Sequence, residues 1–387
     1  MTPNQSDSSA LALPDHILFS VIENFVDENL SSIGTVAQVC RDYHNALSNP
    51  SFWSLKLYGR FDAEFFHPCY TSTSHIDPRS VYQATHVLEK CFTRGLFSAK
   101  SNFRTPNSII TAIRIHDGNL VVGASDGSVK YVGLPNDSAA QAADLTGTIN
   151  SHPDMSGVTC LAPLGCDIVS GHTDGSLFVH KPTSPERLPT QLPLTSPITS
   201  IAGIGDTKVF FSTHGCIQMY DLETQTRVLT KRTSPDALPN SVSVRGSVAV
   251  IGFRDKKARI IDLRSGEYVT SIAMSNWCLC VETDSSDYIL RASDRAVKTF
   301  DLRSPSAPLD IRHGTNRLIS QFKSDSKLRL VSCGLDGQVL VSSLEPSKCF
   351  ETPQSVHACE DYILTLDFDR TRLACGGING KYNLFTF

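Results

Sequence analysis

No stretch of this sequence approaches the roughly 18 consecutive apolar residues of a membrane-crossing helix. Its first ten residues, MTPNQSDSSA, have neither a basic segment nor an apolar core, so no secretory signal is expected. Cationic excess is also missing: 35 Lys and Arg stand against 39 Asp and Glu, a formal net charge of −4. Broad nucleic-acid affinity depends on Lys and Arg displacing counterions from phosphate, so no nucleic-acid partner is expected. The 12 cysteines are scattered, and only Cys278-Leu279-Cys280 and Cys160–Cys166 lie close together, neither with structural-zinc spacing. This predicts free thiols in an intracellular setting, cytoplasmic or nuclear, mostly as small core residues. The 12 histidines show no paired metal spacing, so no metal or other cofactor is expected. A glycine-rich phosphate loop, a nucleophile on a strand-to-helix turn and a carboxylate pair with a credible site are all absent. Nothing here points to an enzyme.

What is present divides in two. Residues 1–10 are polar and expected to be disordered. In 11–58, Leu13-Pro14-Asp15 opens a helix whose apolar positions Ile17, Leu18, Val21, Ile22 and Phe25 share one face. Val36, Val39, Cys40, Tyr43 and Leu47 form a second stripe. Asn49-Pro50 breaks it, and Phe52, Trp53, Leu55 and Leu57 resume an apolar run. Residues 59–94 read as a helical linker, with Asp77 as N-cap, Pro78 in the first turn and Gly95 at the end.

From Ile109 onward, short apolar runs alternate with tight turns, as in an all-β fold. The turns ASDGSV, HTDGSL, STHGCI, FRDKKA, ASDRAV, GLDGQV and GINGKY are marked by Asp126, Asp174, His214, Asp255, Asp294, Asp336 and Asn379. Successive markers lie 39 to 48 residues apart, near the period of a four-stranded propeller blade. Asp-Gly and Asn-Gly pairs predict two-residue hairpin turns with positive φ. Seven turns predict seven blades over 95–387. The last blade reaches Phe387 with its third strand, so its fourth is expected from residues 95–105, which would remove an open edge.

Leu13-Pro14, Ile17-Leu18, Ile22, Leu30, Val36, Gln38-Val39-Cys40-Arg41, Asn49-Pro50 and Phe52-Trp53 together resemble an F-box. The later repeats resemble WD repeats, with the aspartate of the WD dipeptide kept at Asp221, Asp262 and Asp301. Tyr220, Ile261 and Phe300 replace its tryptophan. The chain thus resembles the F-box/WD-repeat family, the substrate receptors of Skp–cullin–F-box ubiquitin ligases. The resemblance implies a mainly β fold: a seven-bladed WD-type propeller preceded by a small helical F-box domain. It implies a Skp-type adaptor, and through it a cullin, as partners, and a protein substrate held by the propeller. The adaptor contacts it implies are Leu13, Pro14, Ile17, Leu18 and Ile22, with Val39 and Cys40 nearby. Little chain precedes the F-box, so a monomer is expected outside the ligase. Two other roles fit the same residues. One is a scaffold acting outside ubiquitination. The other is a receptor for a different cullin ligase, suggested by Asp262-Leu263-Arg264 and Asp301-Leu302-Arg303.

Relatives that bind phosphorylated targets carry arginines on the innermost strands and before the hairpin turns. Here the first set is Thr111, Thr159, Thr199, Asn240, Leu279, Gln321 and Leu364, and Arg254 is the one arginine of the second. One sector is nonetheless basic. Residues 245–264 hold six cations against Asp255 and Asp262, a net of +4. Arg291 stands, counting from the turn, where Gly123, Gly171, Gly252 and Gly376 stand in other blades. Arg254, Lys256, Lys257, Arg291 and Arg295 are therefore the expected substrate contacts. The competing reading is a solvated edge with a chance run of charge. His152, His313 and His357 are candidates for the polar networks that buttress such blades.

Overall fold

A computed structural model describes residues 47–60, 77–134, 147–149, 156–181, 190–192, 196–283, 289–325, 328–344, 352–358 and 361–387. The expected adaptor contacts Leu13, Pro14, Ile17, Leu18, Ile22, Val39 and Cys40 lie outside these residues, as do His152 and the segment 1–10. Among the described residues no helix is long and apolar enough to cross a membrane. Described residues up to Lys90 belong to one compact unit, and Cys91–Phe387 form a second.

In the first unit, helix α1 spans Pro50–Arg60. The Asn49 side chain accepts the Ser51 N–H at 2.9 Å, and Pro50 occupies the first turn, where a missing N–H costs nothing. Phe52, Trp53 and Leu57 are buried. The Trp53 indole donates to the Leu47 carbonyl at 2.7 Å and packs 5.6 Å from the Tyr82 ring. Leu55, placed by the sequence in the same apolar run, faces outward. Helix α2 spans Pro78–Thr93. The Asp77 carboxylate caps it by accepting the N–H groups of Arg79 and Ser80. Gly95, at φ +67°, lets the Leu96 N–H return to the Cys91 carbonyl at 2.9 Å and end the helix.

The second unit begins inside α2, at Cys91. Phe92 belongs to it and is fully buried among propeller side chains, 4.2 Å from the Phe387 ring, with the Arg329 guanidinium 4.3 Å over its face.

Seven four-stranded antiparallel sheets follow one another round a ring. Each is given from its innermost strand outward. Blade 1 is Ile110–His116, Asn119–Ala124, Val129–Gly133 and Gly147–Ile149. Blade 2 is Val158–Leu164, Asp167–His172, Leu177–His180 and Thr190–Leu192. Blade 3 is Ile198–Ile204, Lys208–Thr213, Cys216–Asp221 and Thr226–Arg232. Blade 4 is Pro239–Arg245, Val248–Phe253, Lys257–Asp262 and Glu267–Ala273. Blade 5 is Cys280–Thr283, Ile289–Ser293, Val297–Asp301 and Asp310–Arg312. Blade 6 is Ile319–Ser324, Arg329–Gly334, Gln338–Ser343 and Gln354–Ala358. Blade 7 is Ile363–Phe368, Arg372–Gly377 and Lys381–Thr386, completed by Ala99–Arg104. That strand pairs antiparallel with the last, from Ala99 opposite Thr386 to Arg104 opposite Lys381. Seven blades close with no free edge at the joint between the two ends of the propeller sequence.

Apolar side chains of neighbouring blades fill the wedges between them. Ile260, Ile272 and Met274 of blade 4, for example, meet Cys278, Leu290 and Phe300 of blade 5. Side chains on the innermost strands also stitch one blade to the next. The Val242 N–H donates to Ser200, Thr283 to Ser243, Ser324 to Glu282, Leu366 to Gln321 and Ile115 to Asp367, at 2.8–3.2 Å.

The turns differ from the expected two-residue form. In blade 1 the Gly127 N–H returns to the Ala124 carbonyl, and the Ala124 N–H bonds to Ser128, leaving three loop residues. Only the last needs positive φ: Gly127, Gly175, Gly337 and Gly380 have φ of 83°, 91°, 75° and 71°. The aspartate serves instead as an acceptor. The Asp126 carboxylate takes the Ser128 N–H at 2.9 Å, and Asp174 takes that of Ser176 at 2.8 Å.

Candidate protein-binding face

The seven innermost strands surround a central tunnel of about 500 Å³. All but that of blade 5 have an irregular residue near the start, and the side chains there set the rim. Thr111, Thr159, Thr199 and Ser320 turn their hydroxyls back onto the second strand, donating to the carbonyls of Gly123, Gly171, Ser212 and Cys333 at 2.9–3.2 Å. Blade 4 has Asn240 at this place. Its amide nitrogen donates to the Cys278 carbonyl at 3.2 Å, and its amide oxygen accepts Arg254 Nε at 3.0 Å. A longer side chain at one rim position thus orients an arginine.

Turns between second and third strands bond to the loops that lead into the innermost strands. The N–H groups of Thr173, Arg254 and Ile378 donate to the carbonyls of Gly157, Leu238 and Tyr362. Both sets of segments therefore share one end of the propeller. Its surface carries Ile109, Trp277, Tyr362 and Ile378, each between 38% and 45% exposed. The Arg254 guanidinium lies 5.6 Å from the Trp277 ring centre, and that of Arg317 lies 5.7 Å from the Tyr362 ring centre. Arg317 also donates to the Tyr362 hydroxyl at 3.2 Å.

Neither any family model nor any curated protein matches this chain.

Of the expected substrate contacts, Arg254, Lys256, Lys257 and Arg295 are exposed. The two carboxylates of the same turns are not available to neutralise them. Asp255 is held by both guanidinium nitrogens of Arg259. Asp294 is buried and accepts Lys298 Nζ at 2.7 Å, the Ser275 N–H at 3.0 Å and N–H groups of its own turn. Burial raises its pKa, but Lys298 and those N–H groups outweigh it and hold the carboxyl below the usual range.

Arg291 is a correction. It is 5% exposed and donates to Ser324 Oγ at 3.0 Å, beside the Glu282 carboxylate, so it belongs to the joint between blades 5 and 6. Counting back from Asp294 misplaces it because the blade 5 turn is two residues shorter. Gly123 pairs with Val129 and Gly252 with Ala258, whereas Ser293 pairs with Val297. Ser293 therefore holds the glycine's place. At the true glycine positions a side chain would collide: a Cβ on Gly123 would lie 2.6 Å from Val158 Cγ1.

Glu282 lines the tunnel and accepts both the N–H and the hydroxyl of Ser324, at 2.8 and 2.7 Å. Burial pushes its carboxyl up to about 7, against the opposing pull of Ser324, Arg291 and Lys323. Polar networks also buttress blades 2 and 6. Ser170 Oγ bridges His172 and His180 at 2.9 and 2.7 Å, and His313 bridges Ser332 and Ser342. Burial pulls His180 and His313 down to about 3, so both are neutral at physiological pH. His357 lies 3.4 Å from the Asn383 amide. The described cysteines are free thiols; Cys160 is pushed up to about 11 and Cys280 to about 12 by burial. Among the described residues no His, Cys, Asp and Glu cluster fits a metal ion.

Of the two Asp-x-Arg sites, Arg303 forks onto its own Asp301 with bonds of 2.7 to 3.2 Å, and Arg264 lies 3.6 Å from Asp262. Arg303 holds the Asp301 carboxyl below its ordinary range. Sequence reasoning missed Trp277, Arg317 and Tyr362. Their signal is positional: Trp277 and Tyr362 lie in the short segments just ahead of innermost strands, where exposed aromatics are otherwise unexplained.

Proposed function

We propose that this chain is the substrate-recognition subunit of a Skp–cullin–F-box ubiquitin ligase, acting inside the cell and performing no chemistry itself. Two features support the reading. The N-terminal sequence resembles an F-box, whose apolar helix face would dock in an adaptor groove. The seven-bladed propeller suits protein binding, and one end of it combines exposed aromatics with cations that make no ion pair among the described residues. That face is the observation that carries the proposal. Fixing the target beside the ubiquitin-loaded enzyme raises its effective concentration, which is the whole contribution asked of a receptor.

Affinity purification of the full chain tests this, comparing wild type with a Leu13→Ala, Pro14→Ala double variant. Buried apolar anchors carry about 2 kcal/mol or more each, so adaptor and cullin should be lost while propeller-bound targets remain. Adaptor recovery unchanged in the double variant refutes the docking assignment. Adaptor binding with no change in target turnover points to the scaffold role. Co-purification of a propeller adaptor in place of Skp points to the Asp-x-Arg reading.

A further inference from the structure

Taking the receptor reading further, we propose that the exposed cations and aromatics of blades 4 to 6 bind an acidic segment of the target protein, read through its aspartates and glutamates without phosphorylation. The residues are Arg254, Lys256, Trp277, Arg295 and Arg317.

Charge is the first argument. Lys256 and Arg295 are exposed, and their side chains make no hydrogen bond or ion pair among the described residues. Arg254 and Arg317 bond only to neutral groups, Asn240 and Tyr362. The nearby carboxylates Asp255 and Asp294 are consumed by Arg259 and Lys298. Asp236, in the loop ahead of blade 4, is the exposed acid of this sector. Among the described residues the exposed cations of this sector therefore outnumber its exposed acids, in a chain whose net charge is −4.

Backbone strain is the second argument, and it is independent. Lys256 has φ +63° at the place in its turn where Gly127, Gly175, Gly337 and Gly380 stand in four other blades. Glycine adopts this conformation freely, whereas a residue with a Cβ is strained there. Among the described residues the Lys256 side chain makes no hydrogen bond or ion pair that offsets the strain. An outside ligand for its ammonium accounts for a lysine here.

The spread of the cations selects the ligand. Arg254 and Lys256 sit on the blade 4 turn, Arg295 on the blade 5 turn and Arg317 in the loop leading into blade 6. A single phosphate is best held by guanidinium forks converging on one point. Here two of the arginines are already committed to a neighbour and an aromatic ring, and the cations are strung across three blades. That pattern fits carboxylates distributed along an extended chain, with Trp277 giving an apolar surface beside them.

Fluorescence anisotropy with the purified full chain tests the proposal. The probe is a labelled twelve-residue peptide of aspartates and glutamates around a central leucine. It should bind, weaken as salt rises, and lose affinity when its acids are replaced by Asn and Gln. Lys256→Gly and Arg295→Ala should each weaken it about two- to fivefold, and Trp277→Ala should weaken it as well. Lys256→Gly is the sharpest variant because glycine is native to this turn elsewhere, so the melting temperature should rise while binding falls. Equal binding of the amide peptide overturns the proposal. So does unchanged affinity in Lys256→Gly with Arg295→Ala, binding only of a phosphoserine version, or tighter binding of a single-stranded RNA of the same length. The assay needs no adaptor. Peptide binding without adaptor capture would leave this site standing and remove the ligase reading; the reverse would do the opposite.

Discussion

Glu282 offers a measurable pH dependence. Its carboxylate joins blade 5 to blade 6 through the N–H and hydroxyl of Ser324, with Arg291 and Lys323 nearby. In the folded chain its pKa lies near 7, against an ordinary value of 4.5. The native state therefore holds this proton more tightly than the unfolded chain. Below pH 4.5 both states are protonated and nothing is lost. As pH rises from 4.5 towards 7 the unfolded state ionises first, and native stability falls by the difference. At about 1.4 kcal/mol per unit, the ceiling is about 3 kcal/mol above pH 7. Part of the residue is open to the tunnel, where solvent screens the charge, so about 1–2 kcal/mol is expected. Glu282→Gln keeps an acceptor for Ser324 and removes the titration. Urea unfolding of both proteins at pH 5, 6, 7 and 8 should show the variant gaining on wild type across that range. A difference independent of pH, or one that favours wild type as pH rises, refutes the reasoning.

Arg291→Leu should lower stability by about 1–3 kcal/mol in the same unfolding assay, because a buried hydrogen bond and a partner of Glu282 are lost. It should leave acidic-peptide affinity unchanged, in contrast to Arg254→Ala. A chain starting at Ile109 lacks Ala99–Arg104 and leaves Lys381–Thr386 as an open edge. Light scattering should show it aggregating, whereas one starting at Val81 stays dispersed.

The local sequence determined much of this protein. The helix start at Asp77-Pro78 and the stop at Gly95 were legible because capping chemistry acts within a few residues, whereas Asn49-Pro50, which reads as a break, also caps the next helix. Seven blades were legible because a turn marker recurs at a near-constant interval, and the closing strand expected from residues 95–105 is the one that pairs with Lys381–Thr386. The exposed positions of Arg254, Lys256, Lys257 and Arg295 followed from their place at turns. Which side chains meet between neighbouring blades was not legible. Arg291 was misplaced because one shortened turn shifts the strand pairing, and pairing decides which side chains enter a seam. Phe92 stacks on Phe387, about three quarters of the chain away. Trp277 joins Arg254 only because the loop into blade 5 passes the turn of blade 4. Sequence periodicity sets how many blades there are and where each turns. Contact between blades sets which charges are buried in the joints and which remain for a partner.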